Sequence, residues 1–334
     1  MPQLRRIVYF LGAGASVAAG AYATVQHGGR IQAPIQKNFW STFLRFCKWT
    51  ENNKTIESFL FRYFLGYGRV PARLKPMSRY ALLNETEVEE VFTFISERIA
   101  APATSPQLRV AVEKVWDSLT EEIGNVFSKF PANQSSRTLY RKFMNAHVRS
   151  RDTIVSFNYD TIFEDSVRNF KKFYYEGLRD RKDSAIRLIK PHGSVNWQLN
   201  DGKIKIAKSP QRSVVVAPTH LKFVVSGEQE PSRPDGNYGY LNQTDELPKI
   251  WSSMEQQMRG ARALVFIGYS FPLADLYFSS IFRSILAARD SQPRIVIVNP
   301  DALEIRARLT KRFALQSVDT YFDFRQFNQE SRIG

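Results

Sequence analysis

The chain has 334 residues, of which 43% are hydrophobic and 24% are charged, and its formal net charge is +15. This composition is that of an ordinary globular protein and excludes an intrinsically disordered chain. A single cysteine, Cys47, excludes an internal disulfide framework and a zinc site built from several cysteines. The cytoplasm is the default location because nothing requires oxidation, and we expect no membrane span because no apolar run is long enough.

The first predicted element is an apolar run over residues 6–11, directly before a glycine-rich segment. Together with Arg5 and the small residues near Ala21, this run also imitates a secretory signal peptide. We favour a buried first strand, because β-branched and aromatic residues fill the run and later motifs need the loop that follows it.

A Gly-Ala-Gly-Ala-Ser segment follows this strand at residues 12–16 and can lead into a helix. Glycines at such a junction let backbone N–H groups approach a pyrophosphate at the N-terminus of the helix. The candidate ligand-binding residues of this segment are Gly12, Gly14, Ala15 and Ser16. A glycine turn with a purely structural purpose is the alternative.

Residues 35–150 have apolar positions at helical spacing, as in Val88, Val91 and Ile95. This pattern predicts a mostly helical insertion between the first and second strands. From Arg30 to Arg79 there are ten Lys or Arg against two Glu, a surplus of eight positive charges. Such a surface attracts nucleic acid or acidic partners, and a merely solvated face is the equal alternative.

The next strand is predicted at residues 153–157 and is followed by Asn158 and Asp160. In open α/β sheets, ligands bind at the carboxyl ends of the strands, where these two side chains would project. The alternative is a turn in which Asn158 and Asp160 cap the following helix.

A strand predicted at residues 186–190 runs into a turn in which Pro191 and Gly193 bracket His192. This is a suitable position for an acid–base group, although a lone histidine in a loop is more often structural or solvated. A further strand is predicted at residues 213–217. The loop-rich segment 225–246 is predicted to be mobile or to form a lid.

The last two strong strands are predicted at residues 263–267 and 294–298, and both end in polar residues. Gly268 and Ser270 suit a contact with ribose or phosphate, and an ordinary strand-to-helix turn is the alternative. After the last strand, Asn299 suits a hydrogen bond to adenosine, whereas Asp301 can equally cap a helix.

Continuous apolar runs separated by helical patterns, such as those at residues 248–260 and 273–289, indicate strands covered on both faces. The predicted fold class is therefore α/β, a doubly wound, mostly parallel, Rossmann-like sheet. We assign residues 1–34 and 151–334 to this domain and residues 35–150 to the helical insertion.

Taken in order, these motifs resemble the sirtuin family, in which the same ordered set lines the NAD pocket. The resemblance implies that Gly12, Gly14, Ala15 and Ser16 cradle the NAD phosphates. It implies further that Gly268, Ser270 and Asn299 hold the adenosine side of NAD.

The resemblance also gives roles to the polar residues at the strand ends. It implies that Asn158 orients the nicotinamide ribose or the attacking water. Asp160 would lie near the nicotinamide amide, and His192 would contact the ribose hydroxyls. NAD is then the substrate, and the cleavage requires no metal.

The forms Ser-Phe-Asn-Tyr-Asp and Gly-Tyr-Ser-Phe-Pro-x-x-Asp resemble the prokaryotic sirtuin-like branch of antiphage defence. Protein-deacylating sirtuins share a zinc module with four cysteines, which one cysteine cannot build. The resemblance therefore implies an NAD hydrolase that releases nicotinamide and ADP-ribose and so depletes an infected cell of NAD.

A constitutive NAD hydrolase would kill its host, so its activity must be gated. We expect a homo-oligomer and a second protein as sensor or activator, for which the family resemblance indicates an ATPase. The aromatic residues after Val298 would form a tail that either closes the core or contacts another copy. A non-catalytic NAD- or ADP-ribose-binding module and a basic nucleic-acid-binding component are the alternative functions.

Overall fold

The chain is described by a computed structural model. The described residues are 6–25, 29–101, 103–178, 185–207, 213–215, 244, 246–273 and 275–330.

Seven parallel strands form the central sheet of the described residues. In chain order they are β1 (Ile7–Leu11), β2 (Thr153–Ser156), β3 (Phe173–Tyr175), β4 (Ile186–Ile189), β5 (Ala263–Ile267), β6 (Arg294–Val298) and β7 (Val318–Tyr321). Their order across the sheet is β7-β6-β5-β1-β2-β4-β3. The fold is therefore the predicted doubly wound α/β arrangement.

The centre of the sheet is formed by the strands with the most apolar sequences. Every residue of β1, β2 and β5 is buried, and Phe10 of β1 stacks on Phe266 of β5 with ring centroids 4.5 Å apart. Strands covered by helices on both faces need such unbroken apolar runs. The interpretation of the first run as a strand is confirmed, and the other strong strands are confirmed to within one residue.

The edges of the sheet differ from the prediction. Strands β3 and β7 were not predicted, and they form the two edges. The prediction of a sheet strand at residues 213–217 is wrong, because Val214–Val215 pairs antiparallel with Gly193–Ser194, outside the central sheet. Strand β4 offers no free side, since β2 and β3 already pair with it.

Helices cover the sheet and fill the long connection between β1 and β2. Within the described residues they are α1 (Ala13–Ala18), α2 (Phe39–Phe46), α3 (Thr50–Tyr63), α4 (Pro76–Leu83), α5 (Val88–Ala100), α6 (Pro106–Phe127), α7 (Gln134–Ala146), α8 (Ile162–Val167), α9 (Glu246–Arg259), α10 (Leu276–Ala287), α11 (Ala302–Phe313) and α12 (Phe324–Phe327). Short antiparallel ladders pair Tyr22–Thr24 with Arg30–Gln32 and Trp197–Asn200 with Lys203–Ile206.

The connection between β1 and β2 is helical, as its apolar periodicity predicts, and it contains α2 to α7. Its last helix packs on the sheet layer: Phe143 of α7 meets Tyr9 of β1 edge to face at 5.2 Å. Tyr140 of α7 contacts Phe163 of α8 in the same way at 5.3 Å. The assignment of residues 35–150 to a separate unit stays a prediction.

The aromatic residues near the end of the described chain close the core. Phe324 and Phe327 are buried, and Phe327 stacks on His147 with ring centroids 4.2 Å apart. Phe322 lies on the surface. The core-closing interpretation of the aromatic tail therefore applies to α12.

Three further observations concern Cys47, the loop-rich segment and membrane contact. Cys47 is half-buried, and burial followed by the charge of Glu122 raises the pKa of its thiol. The segment 225–246 lies outside the described residues apart from Thr244 and Glu246. No helix in the described part of the chain is long and apolar enough to cross a membrane.

The order of the strands places a topological switch point at the carboxyl edge of the sheet, between β1 and β5, and a ligand crevice is expected there. After β1 the chain builds β2, β3 and β4 on one side, and it then returns to build β5, β6 and β7 on the other side. Strands β1 and β5 are neighbours, and their onward connections lead to strands on opposite sides of the sheet. Such a topological switch point is where open α/β sheets bind their ligands.

Candidate functional site

Three glycines bring the loops after β1 and β5 into direct backbone contact. A Cβ atom added to Gly12 would lie 2.5 Å from the Gly268 oxygen, and one added to Gly14 would lie 2.9 Å from the Gly268 Cα. A Cβ on Gly268 would overlap the nitrogen of Ala15, and the φ of Gly268 is +64°. The glycines therefore have a structural purpose in packing the two loops together.

Hydrogen bonds fix this contact. Gly12 N–H donates to Ile267 O at 2.9 Å, and Gly14 N–H donates to Gly268 O at 2.9 Å. Ala15 N–H donates to Gly12 O at 2.9 Å. The amides of Gly14 and Ala15 are thus engaged within the protein, and their predicted contact with NAD phosphates stays a prediction.

A buried polar chain joins the glycine loop to the end of β2. The Asn158 side-chain amide donates to Gly12 O at 3.0 Å and to the Ser16 hydroxyl at 3.1 Å. Ser16 in turn donates to a carboxylate oxygen of Asp160 at 2.9 Å. Both amide hydrogens of Asn158 are then occupied, which orients the amide and leaves Oδ1 as its remaining polar atom.

Asp160 has a local role as well as a place in this chain. Its other carboxylate oxygen accepts the N–H of Ile162 at 3.0 Å, at the start of α8. The turn of the alternative prediction is present at Asp160, whereas the N-cap residue of α8 is Thr161, whose side chain makes no capping hydrogen bond. Burial raises the pKa of Asp160, while the nearby charge of Lys190 and the hydrogen bonds from Ile162 and Ser16 act in the opposite direction.

Lys190 and Glu164 form a buried ion pair next to Asp160 that was not predicted. The Lys190 ammonium donates to Asp160 O at 2.6 Å and to the Glu164 carboxylate at 2.8 Å. Glu164 also accepts the Tyr175 hydroxyl at 3.3 Å. Lys190 ends a predicted apolar strand directly before Pro191, and Glu164 is one helical turn after Asp160, but neither position marks a charged residue as buried.

His192 sits in a tight turn at the end of β4. The turn is closed by a hydrogen bond from Gly193 N–H to Lys190 O at 3.1 Å, and Gly193 has a φ of +79°. Proline in the second place and glycine in the fourth favour such a turn. The His192 side chain is buried, with its ring 4.9 Å from that of Phe157 and 5.8 Å from that of Trp251.

The segment after β5 is held in an unusual backbone conformation. Phe271 has a φ of +54°, which is rare for a bulky residue, and its ring packs on Phe266 at 4.5 Å. Tyr269 donates its hydroxyl to Asp275 at 2.7 Å, and Asp275 caps α10 by accepting Phe278 N–H at 3.3 Å. Burial, followed by the negative charge of Asp275, raises the pKa of Tyr269.

Ser270 and Asn299 lie at the same edge of the sheet. Ser270 is exposed, and its carbonyl accepts a hydrogen bond from Arg308. The Asn299 side chain accepts Asp301 N–H at 3.0 Å at the start of α11. Asn299 therefore provides the side-chain hydrogen bond at this helix start, and Asp301 provides no capping bond from its own side chain.

Helix α6 of the connection between β1 and β2 contacts the site at two points. Phe127 at the end of α6 meets the ring of Tyr159 at 6.0 Å, between Asn158 and Asp160 in sequence. Ser213, beside the short strand that pairs with Gly193–Ser194, donates to Val195 O at 3.0 Å. A Cβ on Gly124 of α6 would lie 2.8 Å from the Ser213 hydroxyl, so α6 packs closely against this strand.

The structure thus joins Gly12, Ser16, Asn158 and Asp160 by hydrogen bonds, and glycine packing adds Gly14, Ala15 and Gly268. Phe157, which precedes Asn158, connects this cluster to the His192 ring. Asn299 and Ser270 follow neighbouring strands of the same edge. Among the described residues, no group of three or more His, Cys, Asp or Glu side chains is arranged to hold a metal ion.

Comparison with known proteins identifies the family. The profile of the family described as "SIR2-like domain" matches residues 152–318, which is half of the chain. The chain therefore belongs to the family of SIR2-like domains. No curated protein matches the sequence.

Two of the solved structures that align with this chain are described as structures of a Sir2 homologue. One, described as an NAD complex, is 12% identical and aligns over 97% of this chain and 86% of that chain with a TM-score of 0.42. A mutant described as an ADP-ribose complex is 12% identical and aligns over 97% and 88%, with a TM-score of 0.40.

Proposed function

We propose that the chain binds NAD at the crevice between β1 and β5 and hydrolyses it to nicotinamide and ADP-ribose. The observation that carries this proposal is the hydrogen-bonded chain from the glycine loop through Asn158 and Ser16 to Asp160. It lies at the topological switch point, where doubly wound folds bind dinucleotides. Membership of the SIR2-like family supports NAD as the ligand.

The chemistry of NAD cleavage suits these side chains. Breaking the nicotinamide–ribose bond develops positive charge on the ribose, and nicotinamide is already a good leaving group. The protein mainly has to hold the substrate, exclude competing reactions and position a water molecule. In this proposal Asn158 Oδ1 accepts a hydrogen bond from the attacking water or from a ribose hydroxyl. Both amide hydrogens of Asn158 already donate within the protein, so Oδ1 is the atom left for this contact.

His192 and Asp160 complete the proposed site. A neutral His192 would take a proton from a ribose hydroxyl and so raise the electron density beside the developing cation. Asp160 would face the nicotinamide amide. A protein deacylase is disfavoured because the single cysteine cannot build the four-cysteine zinc module that protein-deacylating sirtuins share.

Purified full-length chain incubated with NAD should release nicotinamide without any acylated peptide. The measurement is chromatography of nicotinamide and ADP-ribose, over a dilution series of the protein and with and without acetyl-lysine peptide. Turnover that strictly requires the peptide would instead indicate deacylation. Calorimetric binding of NAD with no release in any condition would favour the non-catalytic NAD- or ADP-ribose-binding module.

The biological setting of this activity is also a proposal. The resemblance of the Ser-Phe-Asn-Tyr-Asp and Gly-Tyr-Ser-Phe-Pro segments to sirtuin-like defence proteins supports NAD depletion in the cytoplasm of infected cells. We propose a homo-oligomer gated by a partner protein, with an ATPase as the indicated class. Activity that rises with protein concentration in the dilution series would support assembly.

A second candidate function is nucleic-acid binding, and one groove favours it. The groove lies between α3 and α6 and has a volume of about 350 Å³. Its lining has three cations, two hydroxyls and two aromatic rings, namely Lys54, Arg62, Lys114, Thr55, Ser58, Phe59 and Tyr63. None of its described lining residues is acidic. Cations beside aromatic rings are the elements with which proteins bind single-stranded nucleic acid.

Replacing Lys54, Arg62 and Lys114 together with Gln should weaken the binding of a labelled oligothymidylate longer than about 16 nucleotides. Each lost phosphate contact removes about 0.7 from the slope of log K against log salt, so the slope should fall by about 2. Fluorescence anisotropy over a salt series measures both quantities.

The matched control replaces Lys142, Arg151 and Lys311 with Gln. These residues are exposed and lie outside the groove, so the same loss of net charge should leave the slope nearly unchanged. An equal fall in both variants, or no binding by the wild-type chain at low salt, would remove the groove as a nucleic-acid site.

A further inference from the structure

Lys190 and Glu164 form an ion pair that is completely enclosed by the protein. Their side chains are 0% and 2% exposed, and Lys190 Nζ lies 2.8 Å from a Glu164 carboxylate oxygen. Of the other ion pairs among the described residues, the Arg79–Glu57 pair is the next most enclosed, with side chains 18% and 6% exposed. The Lys190–Glu164 pair therefore bears the largest cost of desolvation among them.

Stability alone is a poor explanation for such a pair. Apolar side chains of similar volume often replace a buried ion pair without loss of stability, and sometimes with a gain. Apolar residues that are buried flank both partners in sequence, Leu188 and Ile189 before Lys190 and Phe163 and Val167 around Glu164. The backbone segments that the atoms of this pair hold in position give a better explanation for it.

The contacts of Lys190 join two parts of the candidate site. Its ammonium donates to Asp160 O at 2.6 Å, at the end of the β2 segment that carries Asn158. Its own carbonyl accepts Gly193 N–H at 3.1 Å and so closes the turn that carries His192. One residue therefore contacts both segments. Val195 N–H and the Ser194 hydroxyl also link them, by donating to Tyr159 O at 2.9 and 3.4 Å.

We propose that Lys190 and Glu164 are a positioning pair that fixes the His192 turn against the Asn158–Asp160 segment. Glu164 holds the ammonium from α8, and the ammonium holds the backbone of Asp160. The effect on turnover rests on the proposed NAD hydrolysis, whereas the effect on the geometry of the two segments does not.

The pair also sets the charge around Asp160. Lys190 from the end of β4 favours the ionised carboxylate, while Glu164 from α8 opposes it. Ser16 from α1 donates to the same carboxylate, and Tyr140 of α7 lies close enough for its pKa to be raised by Asp160 and Glu164 after burial. A change to either partner therefore alters the proposed site without touching substrate.

The test uses the full chain with Lys190→Met and Glu164→Leu combined, which removes both charges at similar volume. The control combines Arg187→Met with Glu176→Leu, a partly exposed pair in which Arg187 of β4 lies 2.7 Å from Glu176, the residue after β3. Hydrogen exchange of the Gly193 and Val195 amides and thermal unfolding are measured for both. We expect both variants to fold and only the first to exchange these two amides at least tenfold faster.

Turnover provides the second measurement. With NAD the first variant should lose at least tenfold in kcat with a smaller change in KM, because ground-state contacts with substrate remain. Glu164→Gln keeps an acceptor for Lys190 and should retain most of the amide protection. If the double variant does not fold, this single variant is the test: a neutral amide holds the ammonium less firmly than a carboxylate, so exchange of both amides should rise measurably above wild type, and unchanged protection in a folded Glu164→Gln chain would overturn the proposal.

Wild-type protection of Gly193 and Val195 in a folded double variant would likewise overturn the positioning role, whatever the activity. Lost protection in the double variant together with a wild-type chain that never cleaves NAD would keep the positioning role and reject the proposed function. Lost protection with unchanged kcat would limit the pair to a structural role and reject its link to turnover.

Discussion

Gly268→Ala should lower the free energy of unfolding by about 3 kcal/mol or more, because it combines backbone strain with a collision. The φ of Gly268 is +64°, where side chains are rarely found, and the new Cβ would overlap the backbone of Gly14 and Ala15. These backbone atoms follow β1 and are held by hydrogen bonds, so they cannot rotate away as a flexible side chain can. Urea unfolding of the purified variant measures the loss.

The control is Gly66→Ala. Gly66 has a similar φ of +71°, but a Cβ there meets no atom within 4 Å. This variant should lose only the strain of the left-handed conformation, about 1–2 kcal/mol. Equal losses in the two variants would show that the close approach of the loops after β1 and β5 contributes nothing to stability.

The glycines show what the sequence reveals about the site and what it does not. Their position after apolar strands predicted a special backbone at Gly12, Gly14 and Gly268. The sequence could not reveal that Gly268 packs on the loop at residues 12–16, about 250 positions earlier in the chain. The choice between a ligand cradle and a structural turn therefore needed the topology, and the structural purpose is present whether or not a ligand binds.

The strands were predictable where burial on both faces imposed an unbroken apolar sequence. Strands β1, β5 and β6 have such sequences and were found. The edge strand β7 reads Val-Asp-Thr-Tyr and is only half-buried, so its sequence carries no comparable signal. The valines at residues 214 and 215 gave a false signal, because they pair with Gly193–Ser194 in a two-residue antiparallel ladder rather than joining the central sheet.

Only the polar residues of the site that follow apolar strands were predictable from the sequence. Asn158, Asp160 and His192 stand out because polar residues follow apolar strands. Lys190 and Glu164 do not, because charged residues are normally exposed and no spacing rule marks a lysine as buried. Their pairing depends on the contact of β4 with α8, which becomes known only from the fold.

Asn158→Ala and His192→Ala should each lower the turnover of NAD by about 10²-fold or more, the scale of a positioned catalytic group. Asn158→Ala removes the donors to Gly12 O and Ser16 and the Oδ1 atom assigned to the water or ribose. His192→Ala removes the proposed proton acceptor. Nicotinamide release at saturating NAD, on protein with a cooperative unfolding transition, is the measurement.

Matched controls separate lost chemistry from lost structure. Asn84→Ala removes an asparagine whose side chain bonds Ser41 N–H at 2.9 Å within the insertion. His147→Gln alters a buried histidine whose Nε2 lies 2.9 Å from Phe327 O. Both controls should reduce stability and leave kcat near the wild-type value, because neither residue borders the crevice. If the site variants keep near-normal turnover, or if the controls lose as much, the catalytic assignment of Asn158 and His192 is wrong. A selective loss at Asn158 and His192 would instead tie NAD cleavage to the two segments that Lys190 connects.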